Sequence, residues 1–469
     1  MLLSACMAPE YQNYQKPGST LPSQFRSQVT PAEANSLADA PWWSVFSDPA
    51  LQPLIAEGLH NNYDIAVATA RIERARALIG VTESQGKPQL GYDASLGVEQ
   101  TGVISNGDRF KDPVVGRLGA ALTASWELDV WGRIRHATDA SKADLLAQED
   151  IRRGVMLTLV SDIATGYFRL LELDRELAIA KESAGVYRQT LDLFTLRFEA
   201  GRDNNLPVQR AQAAYDSSRA RTAELTRLIA QQENAISILV GGLPRAIDRG
   251  RLLDDQSMPE TPLGSTSELL QRRPDILRAE QTMISANAQI GVAVANFFPR
   301  VGLSALAGAQ GLTLSSGNAA GFGVWNAAIG LAGPIFSGGR LESEYKERQA
   351  FWDETVADYK RTVIVAFQET SDNLVAQQTL VDRRAALESQ VTALRRASEL
   401  ALDRYDAGRA NYFEVLEAQQ QLFPAEDALA QTRRDQLLAV VGLYKALGGG
   451  WKLQDAEWIR SAQASGGTP

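Results

Sequence analysis

The sequence predicts a mainly α-helical chain that carries membrane β-strands and is built from two internal repeats. Three observations predict it. Short strings recur at constant offsets. Asn62-Tyr63-Asp64-Ile65 with Pro88 returns 211 residues on as Arg273-Pro274-Asp275-Ile276 with Pro299. Arg197-Phe198-Glu199-Ala200-Gly201-Arg202 returns 207 residues on as Arg404-Tyr405-Asp406-Ala407-Gly408-Arg409, and the same offset relates Gly241-Gly242 to Gly448-Gly449. Such constancy marks one duplicated unit. Each copy also holds two stretches of period-two alternation, and each holds long helical stretches with apolar residues three and four apart.

From the start, residues 1–6 read as the remnant of a lipoprotein signal. Leu2-Leu3-Ser4-Ala5-Cys6 resembles a bacterial lipobox, in which the cysteine becomes the acylated first residue. The basic and most of the apolar parts of a signal are missing, so this start reads as truncated or misassigned. Met7 in place of Asp implies sorting to an outer membrane. Residues 7–48, polar and rich in Pro and Gln, read as an extended tether.

Repeat 1 spans 49–242. Asp48-Pro49 is an N-cap followed by proline, and the helix it opens runs to about Gln85, stopped by Gly86-Lys87-Pro88. A β-hairpin over 89–129 follows. Leu90, Tyr92, Ala94, Leu96 and Val98 alternate with smaller or polar residues, as do Leu118, Ala120, Leu122, Ala124, Trp126 and Leu128. From Arg133 to Phe198 no proline intervenes, and a helix of that length spans roughly 100 Å. Leu173, Leu177, Ala180, Ala184, Tyr187, Leu191, Phe194 and Phe198 form a coiled-coil seam, with Met156, Val160, Ile163, Tyr167 and Leu170 an earlier seam one residue out of register. Gly201 ends this helix, and a return helix runs to about Val240. Residues 243–264 read as a proline-marked linker. Repeat 2 spans 265–449, with a hairpin over 300–335, a long helix from Gly339 to Ala407 and a return helix that Pro424 is expected to kink. Residues 450–469 read as an irregular tail.

The composition excludes several function classes. A net charge of −9 with no Lys/Arg block argues against nucleic acid. His60, His136 and Cys6 are the only residues of their kinds, too few for a Cys/His zinc site or an internal disulfide. No catalytic constellation and no glycine-rich phosphate loop stands out, so neither an enzyme nor a metal site is expected, and no cofactor beyond a covalent lipid on Cys6. No run of 18 apolar residues predicts a transmembrane helix.

The hairpins remain. Strands of about ten residues with one apolar face suit a tilted membrane crossing; a half-buried hairpin packed on helices is the alternative. Four strands cannot close a barrel, and an open edge in lipid leaves backbone groups unpaired. A membrane reading therefore demands partner copies: a dimer gives eight strands and a trimer twelve.

Several strings together resemble the TolC-like outer-membrane factors, more closely their lipidated branch serving efflux pumps of the resistance-nodulation-division type. They are Pro41-Trp42-Trp43 with Phe46 and Asp48-Pro49-Ala50-Leu51; Glu127-Leu128-Asp129-Val130-Trp131-Gly132-Arg133-Ile134; Arg272-Arg273-Pro274-Asp275-Ile276; Phe297-Phe298-Pro299; Pro334-Ile335-Phe336-Ser337-Gly338-Gly339-Arg340; and Leu443-Tyr444-Lys445-Ala446-Leu447-Gly448-Gly449-Gly450-Trp451. The resemblance covers nearly everything from Cys6 to Trp451. It implies a homotrimer with a 12-stranded outer-membrane β-barrel, four strands per chain, continued by a long α-helical barrel. It implies a Gram-negative outer membrane, a lipid anchor, and most of the chain in the periplasm. It also implies a passive exit duct for drugs or other small molecules, working with a periplasmic adaptor (membrane fusion) protein and an inner-membrane transporter. A protein-secretion duct of the same architecture and a non-conducting structural lipoprotein are the alternatives.

By the same resemblance the periplasmic gate lies where the second return helix begins, at Arg404, Tyr405, Phe413, Glu414 and Glu417. Glu414 and Glu417 share a helical face. In a threefold ring such carboxylates would repel one another and select cations; a solvated acidic face is the plainer alternative. The family often carries aspartates here, so glutamate alters the ring diameter. The first repeat has Arg210 where the second has Glu417, so only the second helix pair is expected to swing. The turns at Gly201-Arg202-Asp203 and Gly408-Arg409 read as adaptor-docking tips, or as two ordinary helix ends.

Overall fold

A computed structural model describes residues 9–18, 22, 24–26, 36–99, 102–105, 108–111, 115–259, 261–262, 265–313 and 319–450. The element order is α1 (Leu51–Asn61), α2 (Tyr63–Ser84), β1 (Gln89–Glu99), β2 (Gly102–Ser105), β3 (Asp108–Lys111), β4 (Val115–Leu128), α3 (Arg133–Glu199), α4 (Asn205–Leu239), α5 (Pro274–Ala295), β5 (Arg300–Thr313), β6 (Ala319–Ala332), α6 (Arg340–Asp406) and α7 (Tyr412–Ala446), with single helical turns between. Both long helices have 67 residues and both return helices 35.

Contacts divide the chain into two units. The first comprises Met1–Gly18, Ala70–Glu149 and Arg278–Lys360. Its centre is an antiparallel sheet in the order β1-β4-β5-β6. The register puts apolar residues in rows: Tyr92 opposite Leu122, Leu122 opposite Ala307, Ala307 opposite Trp325. Leu90, Leu96, Val98, Leu118, Trp325, Ile329 and Leu331 are all exposed. The other face holds Asp93, Ser95, Arg117, Thr123 and Gln310, yet the second hairpin adds Leu306, Phe322 and Val324 to it. The two-sided alternation is thus clean in the first copy and mixed in the second. Residues 102–111, expected within a polar loop, contain the short β2–β3 ribbon. At the foot of the sheet Trp131 stacks on Phe298 with centroids 4.7 Å apart, and Trp126 and Trp131 donate to the carbonyls of Gly86 and Pro299.

Part of the expected tether is docked rather than free. Tyr11 donates to Asn287 at 2.9 Å and packs on the His136 ring at 4.5 Å, while Lys16 pairs with Glu280 at 2.6 Å. Burial, aided by Arg135, depresses the His136 pKa.

The second unit comprises Ser19–Thr69, Asp150–Leu277 and Arg361–Pro469. Its core joins Met156, Val160, Ile163, Tyr167 and Leu170 of α3 to Ile236 and Val240 of the first repeat and to Leu443 and Tyr444 of α7. Phe25, Leu37, Trp42, Val45 and Phe46 are buried here too, so the extended-tether reading of 7–48 is corrected. Polar composition hid a few large apolar side chains, each removing a sizeable area from water. One stretch of α3 is long and apolar enough to cross a membrane by length and composition, at a mean hydropathy of 1.2, but 67% of it is buried inside the fold, as in a core helix.

Three details go beyond these expectations. The first helix is split at Asn62, whose side chain accepts from Asp64 and Ile65 N–H groups and restarts the helix. Pro424 lies within α7 without interrupting it. The linker is pinned: Arg249 holds Asp174 at 2.8 Å and also bonds Glu233, and buried Asp48 accepts from Arg251 N–H, Gln256 and Tyr167. Burial alone would raise the Asp48 pKa, but those hydrogen bonds hold it below the usual carboxylate range. Cys6 and the tail beyond Gly450 lie outside the described residues.

Candidate functional site

The two interhelical turns are built alike. The chain ends α3 with Gly201 at φ +67° and ends α6 with Gly408 at φ +68°, a left-handed conformation that glycine adopts without a Cβ clash. Arg202 N–H returns to Arg197 O and Arg409 N–H to Arg404 O, the longer bonds of a Schellman ending. Asn204 caps α4 and Asn411 caps α7. Arg202, Asp203 and Arg409 are exposed at these turns.

The two turns meet through unlike side chains. Phe194 of α3 is fully buried against Tyr412 of α7, centroids 4.0 Å apart, and both rings contact Tyr405. Burial pushes the Tyr412 phenol up to about 12. The Arg197 guanidinium sits 5.0 Å from the Tyr405 ring centre and donates to its hydroxyl, while Asp203 lies 3.9 Å away. A cation over an aromatic face and a charge-assisted hydrogen bond act on one residue here.

Of the expected gate residues, Tyr405 is half-buried in this cluster. Arg404 and Glu414 approach at 4.0 Å, and Arg404 also donates to Arg409 O at 3.5 Å. Phe413 is exposed, with the Arg210 guanidinium 5.7 Å from its ring centre. Glu414 and Glu417 are exposed on α7, and Glu417 accepts from Gln421 at 3.4 Å. Sequence reasoning missed Arg197, Phe194 and Tyr412 as site residues. Arg197 was visible only as the repeat mate of Arg404.

A cleft of about 680 Å³ extends along α3, α4 and α7 from Phe413 to Asp427, floored by Ala213, Ala214 and Ser217. Past it lies an acidic layer. Glu176 accepts from Arg221 at 2.5 Å and Gln431 at 2.8 Å, Glu172 from Arg434 at 2.7 Å, and Glu426 from Arg395 at 2.5 Å. One Asp427 oxygen is buried without a hydrogen bond. Burial, then Glu176, push its pKa up to about 6 against the opposing Arg221, with Glu426 and Glu172 adding. A carboxyl that keeps its proton longer when folded favours the fold at low pH, and that contribution is lost as pH rises from the ordinary 3.8 through about 6. Asp427→Asn should therefore flatten the pH dependence of thermal stability over that window and stabilise the protein at pH 7 by on the order of 1 kcal/mol, after discounting for solvent. A variant melting curve with the wild-type pH slope would reject this.

The chain resembles known proteins over its whole length. The family model described as outer membrane efflux protein matches residues 54–242 and 266–449. The chain is 33% identical to the toluene efflux pump outer membrane protein TtgC of Pseudomonas putida, covering all of this chain and 97% of that protein. It is 31% identical to the probable outer membrane lipoprotein SilC of Salmonella typhimurium over 96% of this chain and 97% of that one. The open state of the Neisseria gonorrhoeae MtrE outer membrane channel superposes with a TM-score of 0.80 at 28% identity, covering 95% of this chain and 98% of that channel. The fold is that of outer-membrane channels rather than enzymes, and the place of such a protein is the outer membrane of a Gram-negative cell. This chain belongs to the outer membrane efflux protein family, the TolC-like outer-membrane factors.

Proposed function

We propose that three copies of this chain form the outer-membrane exit duct of a tripartite efflux pump, passing drugs or other small molecules from an inner-membrane transporter and a periplasmic adaptor to the outside. One observation carries the reading: a four-stranded sheet with an exposed apolar face and an unpaired strand at each end, β1 and β6. Lipid tolerates no such edges, so sister chains must cover them; twelve strands make a closed ring. Relatives matched end to end and named for toluene and cation efflux favour small solutes as cargo over secreted protein. The likeness to SilC, a probable outer membrane lipoprotein, supports acylation at Cys6 as a second hold on the membrane.

The periplasmic end is the gate. Glu414 and Glu417 of three chains form the cation-selecting ring, with Arg404 and Phe413 beside them and Tyr405 held back against the first repeat. The turns at Gly201, Arg202 and Asp203 and at Gly408 and Arg409 dock the adaptor. The second helix pair swings while the first stays. In planar bilayers the protein should conduct, and Glu417→Ala should raise single-channel conductance and lower cation preference. No conductance at all would favour a structural lipoprotein; unchanged conductance and selectivity would remove Glu417 from the gate.

A further inference from the structure

The loop between β6 and α6 carries the two most exposed large apolar side chains among the described residues, Ile335 at 99% and Phe336 at 90%. Gly338 and Gly339, both at positive φ, turn the chain sharply into α6 just behind them. The strand ends say what lies beside this loop. β1 begins at Gln89, level with Ser125, three residues short of the end of β4 at Leu128. Leu128 is level with Val301, one residue past the start of β5, and Arg300 is level with Ala332, the last residue of β6. The lower edge of the sheet therefore descends from β1 to β5, stays level to β6 and nowhere rises, in keeping with the one-way strand stagger of a closed barrel. A further antiparallel strand that continues this stagger starts level with Ala332 or beyond it.

In a ring of sister chains that strand is β1 of the next copy. Its Gly86-Lys87-Pro88 turn and the last turns of its α2 then run beside residues 333–337 of the first chain. Those last turns expose Leu78 at 52% and Val81 at 59%, apart from the exposed Tyr63 and Val67 at the far end of the same helix. Two unpartnered apolar surfaces, one at each edge of the same sheet and at the same level, are thus complementary.

We propose that Ile335 and Phe336 form a clasp on a second copy of this chain, packing against Leu78 and Val81 near the foot of its α2. The clasp rests on the ring reading above and deepens it by naming the contact that seals adjacent chains below the strands. Hydrogen bonding between β6 and β1 sets their direction; the clasp fixes register, because a slip of two residues carries the loop about 6–7 Å along the helix, beyond Val81.

The test is a cysteine pair, Phe336→Cys with Val81→Cys, in the full chain in native membranes and in detergent. Oxidation should give a dimer and trimer ladder on denaturing gels for the pair and not for either single variant. Ile335→Ser with Phe336→Ser should lower the temperature at which the assembled particle dissociates. A particle whose mass is three chains but which gives no ladder overturns the clasp and leaves the duct reading standing. In that event, quenching of a bimane label at Phe336→Cys by brominated lipid would identify the bilayer as what covers the loop. A particle of one chain overturns both.

Discussion

Leu122→Arg is expected to abolish the assembled outer-membrane protein. Leu122 lies mid-strand on β4, in the row Tyr92, Leu122, Ala307 and Trp325, and is exposed on the face that meets lipid. An arginine near the midplane of a membrane barrel costs about 2–4 kcal/mol per chain. A closed ring contains the change three times, so the total reaches roughly 6–12 kcal/mol, comparable to the whole stability of a typical domain. Thr123→Arg, one residue on and on the opposite face, is the control, since that face looks into water. Heat-resistant trimer in isolated outer membranes is the measurement. Loss with Leu122→Arg and retention with Thr123→Arg is the expected pair of results. Equal retention of both would mean that this face does not meet lipid and would remove the basis for the ring.

Arg197→Ala has the second largest expected effect, on the resting state of the proposed gate. It removes a charge-assisted hydrogen bond to Tyr405 and a cation over its ring, while the Phe194, Tyr405 and Tyr412 cluster stays in place. A hydrogen bond of this type contributes about 1.5–3 kcal/mol, and the partly exposed guanidinium lowers that to roughly 1–2 kcal/mol. If the contact is lost when the second helix pair swings, the open population rises about five- to thirty-fold. Tyr405→Phe removes the hydrogen bond but keeps the ring beneath the guanidinium, so it should raise the open population less than Arg197→Ala, and adding it to Arg197→Ala should change little further. Open probability in planar bilayers reads this directly. Wild-type open probability in both single variants would show that the two turns separate elsewhere.

Much of the fold was legible because its signals are periodic and local. Met156, Val160, Ile163, Tyr167 and Leu170 announce a buried helix stripe by spacing alone, and all five are buried. Leu90 through Val98 announce a strand face. The helix ends at Gly201 and Gly408 were marked by residues whose chemistry is itself the signal. What was not legible depends on distant partners. Arg197 and Tyr405 are 208 residues apart, and nothing around either says that they touch. The resemblance groups Tyr405 with Glu414 and Glu417, but it could not show that the Tyr405 ring packs on Phe194 of α3 and on Tyr412. The β2–β3 ribbon has four residues per strand, too few for an alternation to declare itself. The burial of Phe25 escaped notice because its neighbours are polar, and that of Trp42 because its helix, Trp42–Val45, is a single turn too short to show a period.

The pairing of two like turns through unlike side chains has an evolutionary consequence. Six separate copies of a single half would carry the same residue at every seat, so any change that loosened one would loosen all. Fusion of the halves into one gene broke that constraint. In this chain the seat of Tyr405 holds Phe198 in the other half and the seat of Glu417 holds Arg210, so matched positions differ in hydrogen bonding and in charge, as two fused halves allow and six identical copies would not.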